Sequence, residues 1–145
     1  MADTVFTRLL RGELPCAKVY EDALTFAFMD AGQVNPGHVL VALKRPAATI
    51  LEISDEEAAA LFVAARRVAR AVQDAFQPTG ISILQANGVD GFQTVPHIHL
   101  HVLPRHAGDG VELTWPGKSP GMKTLESLAA RLRPLLQAGK TPVDK

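Results

Sequence analysis

Apolar residues recur along this chain with two different periods, and the switches between them mark out its elements. Val5, Phe6, Leu9 and Leu10 fall at helical spacing behind Asp3, a capping residue, with Gly12 placed to end the helix. Segments 18–21 and 25–30 are β-prone and separated by a short Asp22-Ala23 turn, which predicts a hairpin. Asn35-Pro36-Gly37 is turn chemistry and delivers a third apolar strand over 38–43. Then the period lengthens. Ser54-Asp55-Glu56-Glu57 fits a capping box, and Ala58, Leu61, Phe62, Ala65, Val68, Ala69, Val72 and Phe76 form one apolar stripe. Arg66, Arg67, Arg70 and Asp74 occupy the opposite, solvated face. Pro78-Thr79-Gly80 breaks this helix, 81–85 forms a fourth strand, and a glycine-containing loop leads to a fifth over 97–103. A final helix is predicted over about 124–136, with Leu125, Leu128, Leu132 and Leu135 inward and Pro134 kinking or ending it.

Short connections between the first three strands favour antiparallel pairing, so the order of elements predicts an α+β fold: a mainly antiparallel five-stranded sheet with one long helix. The 145 residues, 47% of them hydrophobic, suit one domain over 1–145, with a core over 4–106 and a carboxy-terminal extension over 107–145. Fifteen basic and fifteen acidic side chains cancel, so no global field draws in nucleic acid or an anionic membrane, and a charged ligand must be recognised locally. No segment approaches the roughly 20 apolar residues of a membrane span, and the amino terminus, Met1-Ala2-Asp3, starts with an acid; a cytoplasmic protein is expected. Cys16 is the sole cysteine, which excludes an intrachain disulfide and reads as a small, partly buried apolar side chain.

Four of the five histidines lie between positions 97 and 106, and His97, His99 and His101 alternate with Ile98, Leu100 and Val102. On a strand that alternation puts the three imidazoles on one face, with Cα atoms roughly 6.6 Å apart, close enough for neighbouring rings to share a phosphate. One neutral imidazole can attack phosphorus while its neighbours hydrogen-bond the nonbridging oxygens. Charged neighbours would lower the pKa of the middle ring. Structural rings bonded to carbonyls and a zinc site are the alternatives. The preceding loop, Asn87-Gly88-Val89-Asp90-Gly91, has two glycines that let amides approach an anion, and Gln93 and Thr94 add neutral donors. An ordinary strand connection is the other reading of that loop. A metal would want a flanking acid or thiolate, and only Asp90 is near in sequence.

The run His97-Ile98-His99-Leu100-His101-Val102-Leu103, followed by Pro104-Arg105, resembles the signature of the histidine triad (HIT) family. The resemblance extends from about Val5 to Arg105, through Val5-Phe6-Thr7-Arg8-Leu9-Leu10-Arg11-Gly12-Glu13-Leu14-Pro15, Val19-Tyr20-Glu21-Asp22, Ala27-Phe28-Met29-Asp30 and Asn35-Pro36-Gly37-His38-Val39-Leu40-Val41. It implies a nucleotide hydrolase or nucleotidyl transferase that cleaves a nucleoside phosphoramidate or dinucleoside polyphosphate at the phosphorus on the 5′ oxygen. His99 would be the nucleophile that carries a covalent nucleotidyl group. His101 would bind phosphate oxygens and assist the leaving group, and His97 and His38 would orient the site by hydrogen bonds. Gln93, Thr94 and Asn87 match phosphate or leaving-group contacts. Asp30 falls where a carboxylate holds the ribose hydroxyls, and Phe6, Leu9 and Phe28 fall near the base pocket, each also having an ordinary core reading.

The departures are as specific. Many bacterial relatives carry zinc on a Cys-x-x-Cys pair and a histidine after the third strand; Thr4, Thr7 and Pro46 stand in those places here, so no metal and no cofactor are expected. Phe92 replaces a usual glycine, where a bulky ring could narrow the leaving-group side, and Trp115 is a candidate to reach a partner subunit's site, with surface packing as its alternative. The resemblance implies a homodimer in which two five-stranded sheets join. A nucleotide-binding regulatory module with little turnover and a metal-binding protein using the histidine cluster are the rival readings.

Overall fold

The computed structural model describes residues 3–138, which divide into a larger unit ending at Gly110 and a smaller one beginning at Val111. The larger unit opens with α1 (Val5–Leu10), followed by β1 (Lys18–Glu21), β2 (Thr25–Met29), β3 (Val39–Leu43), α2 (Asp55–Phe76), β4 (Gly80–Gln85) and β5 (His99–Arg105). The strands make one sheet in the order β1-β2-β3-β5-β4, and every neighbouring pair is antiparallel. This is the α+β architecture expected from the element order.

Caps explain where the helices start. Ser54 accepts from the Glu57 N–H at 3.1 Å while Glu57 accepts from the Ser54 N–H at 3.0 Å, the reciprocal box that begins α2. Thr4 and Thr7 build a second box at α1: the Thr4 hydroxyl accepts from the Phe6 and Thr7 N–H groups, and the Thr7 hydroxyl bonds the Thr4 backbone from both sides. Two neutral hydroxyls already spent on a cap, with Pro46 as the third residue, offer neither thiolate nor imidazole, so this donor set does not fit zinc.

Strand alternation gives the sheet two buried faces in its centre. Val39, Val41 and Leu43 of β3 and Leu100 and Val102 of β5, with Ile98 before it, pack with Leu61, Ala64, Ala65, Val68 and Val72 of α2. Leu40 and Ala42 share the other face with Phe26, Phe28 and Phe6, and pair across the ladder with His101 and His99 respectively. His97 lies outside the strand, a correction to the fifth strand expected over 97–103. Pro96 supplies no N–H to a ladder, His97 N–H turns back to the Val95 carbonyl at 2.8 Å, and Ile98 N–H bonds Ala47 rather than a neighbouring strand.

Asn35-Pro36-Gly37 makes the turn the sequence predicts, and Gly37 is obligatory there. Its φ is 99°, and a Cβ at this point would lie 2.7 Å from the Phe76 ring. In the smaller unit, α3 (Met122–Ala138) is longer than expected, and Pro134 sits inside it without ending it. Leu125, Leu128, Leu132 and Leu135 are all exposed, at least 47% each, so the inward stripe expected of them is not realised.

Candidate active site

The imidazoles of β5 form one wall of a cavity of about 680 Å³. Phe6 and Leu9 of α1, Phe28 of β2, Asp30, Thr94, His99 and His101 line it, so seven of the residues expected at the site converge there. Its size is that of pockets that enclose a small ligand. Phe6 sets its edge against the His99 ring, centroids 4.8 Å apart, and against the Phe28 ring at 5.3 Å.

Hydrogen bonds fix the ring orientations. His97 is wholly buried and bonds the Leu43 carbonyl through Nε2 at 2.6 Å, which requires the proton on Nε2. Its own carbonyl then accepts from His99 Nδ1 at 2.6 Å. His99 in its neutral form therefore carries its proton on Nδ1, and the lone pair is on Nε2. His97 thus holds His99 through its backbone, not through its ring.

A second contact joins His38 Nε2 to His101 Nδ1 at 3.0 Å, with Asp30 Oδ2 3.5 Å from the same His38 nitrogen. His38 Nδ1 is buried without a partner. A bare ring nitrogen tolerates that position better than an N–H does, so His38 carries its proton on Nε2 and donates it to His101 Nδ1. His101 in turn carries its proton on Nε2. The site therefore presents one lone pair, on His99, beside one N–H donor, on His101, with their ring centroids 5.1 Å apart.

Burial lowers the pKa of His38, His97, His99 and His101, because it penalises the imidazolium form. For His99 the bond to the His97 carbonyl works the other way, and the charge of His101 contributes less than burial. Desolvation, rather than the charged neighbours expected from the sequence, is the main reason that the middle ring stays neutral.

Other expected residues lie elsewhere. Asn87 bonds the Ile50 N–H at 2.8 Å and Gln85 on both sides of its amide; Gln93 bonds the Gly88 N–H and the Ala48 carbonyl. Neither is in the cavity lining: their amides clip the loop after β4 to residues 48–50. Phe92 is 90% exposed at φ 71° and does not line the cavity, so its ring does not narrow it; Trp115 is also exposed. Cys16 is exposed and sits in the cavity wall, in the irregular stretch between α1 and β1, rather than partly buried. Gln33, which sequence reasoning passed over, also lines the cavity. Asp30, His38 and His101 each offer a ligand atom within 4.8 Å of the others, a set that a divalent ion could use.

Comparison with known proteins agrees with this geometry. The HIT domain matches residues 11–108. An adenosine 5′-monophosphoramidase of Schizosaccharomyces pombe is 31% identical over 129 residues, covering 88% of this chain and 94% of that protein. A bis(5′-adenosyl)-triphosphatase of Dictyostelium discoideum is 31% identical over 124 residues, covering 81% and 83%. The crystal structure of a HIT-family member from Bacillus subtilis superposes with a TM-score of 0.86 at 34% identity, covering 90% of this chain and 95% of that one. No helix among the described residues is long and apolar enough to cross a membrane. The match of the domain over most of the chain, on a sheet that sets His99 and His101 into one cavity, makes this protein a member of the histidine triad family.

Proposed function

We propose that the chain is a histidine-triad hydrolase that transfers a purine nucleoside monophosphate to water through His99, using neither metal nor cofactor. The observation that carries this is the His99 Nδ1 bond to the His97 carbonyl, which leaves Nε2 as a lone pair in the cavity wall. His99 Nε2 attacks the α-phosphorus, a P–N bond forms, and the bond to the leaving group breaks as His101 Nε2–H gives it a proton. Water then attacks phosphorus and gives a proton to His101; the P–N bond breaks, and His99 is restored with release of the nucleotide. Thr94 donates to a nonbridging oxygen, Asp30 accepts from the ribose hydroxyls, and Phe6, Leu9 and Phe28 enclose the base. His38 and His97 orient the two reacting rings. Asn87 and Gln93 act at one remove, by bracing the loop that presents Thr94.

The substrate is a nucleoside phosphoramidate or a dinucleoside polyphosphate; relatives carrying each activity in their names support both. The family resemblance supports a cytoplasmic homodimer, and uncovered apolar side chains such as Leu51, Phe62 and Leu135 give it surface to bury. Adenosine phosphoramidate and diadenosine polyphosphates, offered to wild type and His99→Ala, test the reading. Steady release of adenosine monophosphate and an intact-mass nucleotidyl adduct are expected of the wild type alone. Binding without either outcome makes the protein a regulatory module, and stoichiometric metal in elemental analysis makes the Asp30, His38 and His101 set a metal centre.

A further inference from the structure

One side chain that the mechanism above leaves unused holds the whole turn between Asp30 and His38. Gln33 has left-handed backbone, φ 35°, a conformation unfavourable for a residue with a Cβ. Its amide is committed to the turn at both ends. Nε2 donates to the Asp30 and His38 carbonyl oxygens, each at 2.7 Å, and Oε1 accepts from the Gly37 N–H at 2.9 Å. Backbone bonds from Gln33 N–H to the Asp30 carbonyl at 3.2 Å and from Asp30 N–H to the His38 carbonyl at 2.9 Å close the same loop. The two residues tied together in this way are the two whose side chains meet beside His101.

The His38 Nε2–H has a choice of acceptors: His101 Nδ1 at 3.0 Å or Asp30 Oδ2 at 3.5 Å. Hydrogen bonds weaken steeply with distance and angle, so a small slip of the turn changes that choice. Were His38 to donate to Asp30, His101 would be free to carry its proton on Nδ1. Its Nε2 would then be bare, and a bare nitrogen cannot protonate a leaving group.

We propose that Gln33 is a positioning residue whose amide sets His38 against His101 and thereby keeps the His101 proton on Nε2. The inference rests on the reading of His101 as the acid, and its test separates the two. Gln33→Met keeps the length of the side chain and removes its hydrogen bonds; Gln33→Asn, at ease in left-handed backbone but too short to span the turn, serves if the first variant folds poorly. Nitrogen-15 NMR of the imidazoles reads the tautomer without any need for turnover. Wild type should show His101 protonated on Nε2, and the variants a mixture or the Nδ1 form.

The kinetic arm compares two adenylates, one with an alkylamine leaving group that needs a proton and one with fluoride, which departs as an anion. Gln33→Met should slow the amine substrate by about 10- to 100-fold in kcat and the fluoride substrate by less than about 3-fold. Equal losses on both substrates, or an unchanged His101 tautomer in variants that have lost the bonds, overturn the proposal. A wild type that turns over neither substrate defeats the enzyme reading, while the tautomer still decides the role of Gln33.

Discussion

Ile98, Leu100 and Val102 meet α2 on one side of the sheet, while His99 and His101, one step out of phase with them, meet Phe6, Leu40 and Ala42 on the other. The first side is apolar packing without a histidine; Ile98 and Val102 have no exposure at all. The second is also largely buried, yet it opens on the cavity of about 680 Å³. One run of alternating residues therefore makes both an anchor and a wall of the cavity. Burial does different work on each side, contributing stability through Ile98, Leu100 and Val102 and holding His99 and His101 neutral.

His99→Ala should separate the two sides most sharply: turnover falls on the order of 10⁴-fold or more, as removal of a nucleophile does elsewhere, while circular dichroism and nucleotide affinity change little. Loss of the fold in that variant would give His99 a structural role. In wild type the acid limb of kcat/KM should lie below pH 6.5, the ordinary imidazole value, because burial lets the base form persist until the pH passes the lowered pKa.

Ile98→Ala tests the opposite side. Urea denaturation should show a loss of about 2–5 kcal/mol from the cavity and the lost transfer energy, with turnover per folded molecule retained. A large drop in kcat at full folding would show that the two sides are not separable.

Asp30→Ala works within the cavity, at the proposed ribose contact, and should weaken adenosine monophosphate binding by about 1–3 kcal/mol in a calorimetric titration. An unchanged titration would remove Asp30 from the ribose contact. The smallest effect is expected at an exposed residue outside the cavity lining. Phe92→Gly relieves left-handed strain at an exposed residue and should stabilise the protein by about 0.5–1 kcal/mol net of the added chain entropy, with substrate affinity unmoved.

Much of this was legible in the order of residues because it depends on local periodicity. The five strands, the capped start of α2 and the two-sided β5 follow from alternation and from Ser54 and Glu57. Of the seven convergent cavity residues, His99, His101 and Thr94 are legible from pattern alone, while Phe6, Leu9, Phe28 and Asp30 need the family resemblance. What stayed hidden is set by the main chain or by distant segments. The Leu43 and His97 carbonyls that orient the rings have no side-chain signature. Asn87 and Gln93 look like ligand contacts until residues 48–50 are seen to take their amides. Gln33 carries a signal only in retrospect, as an amide inside a nine-residue turn that ends in Pro36-Gly37-His38. The leucines of α3 show that helical periodicity identifies an apolar stripe without saying what covers it.

The partner that orients His99 is a peptide oxygen, which every amino acid possesses. No substitution at position 97 deletes it; such a change removes the ring's bond to the Leu43 carbonyl and reaches His99 through the displaced backbone. The alignment of His99, the proposed nucleophile, therefore does not depend on the identity of the side chain at the position that supplies its acceptor.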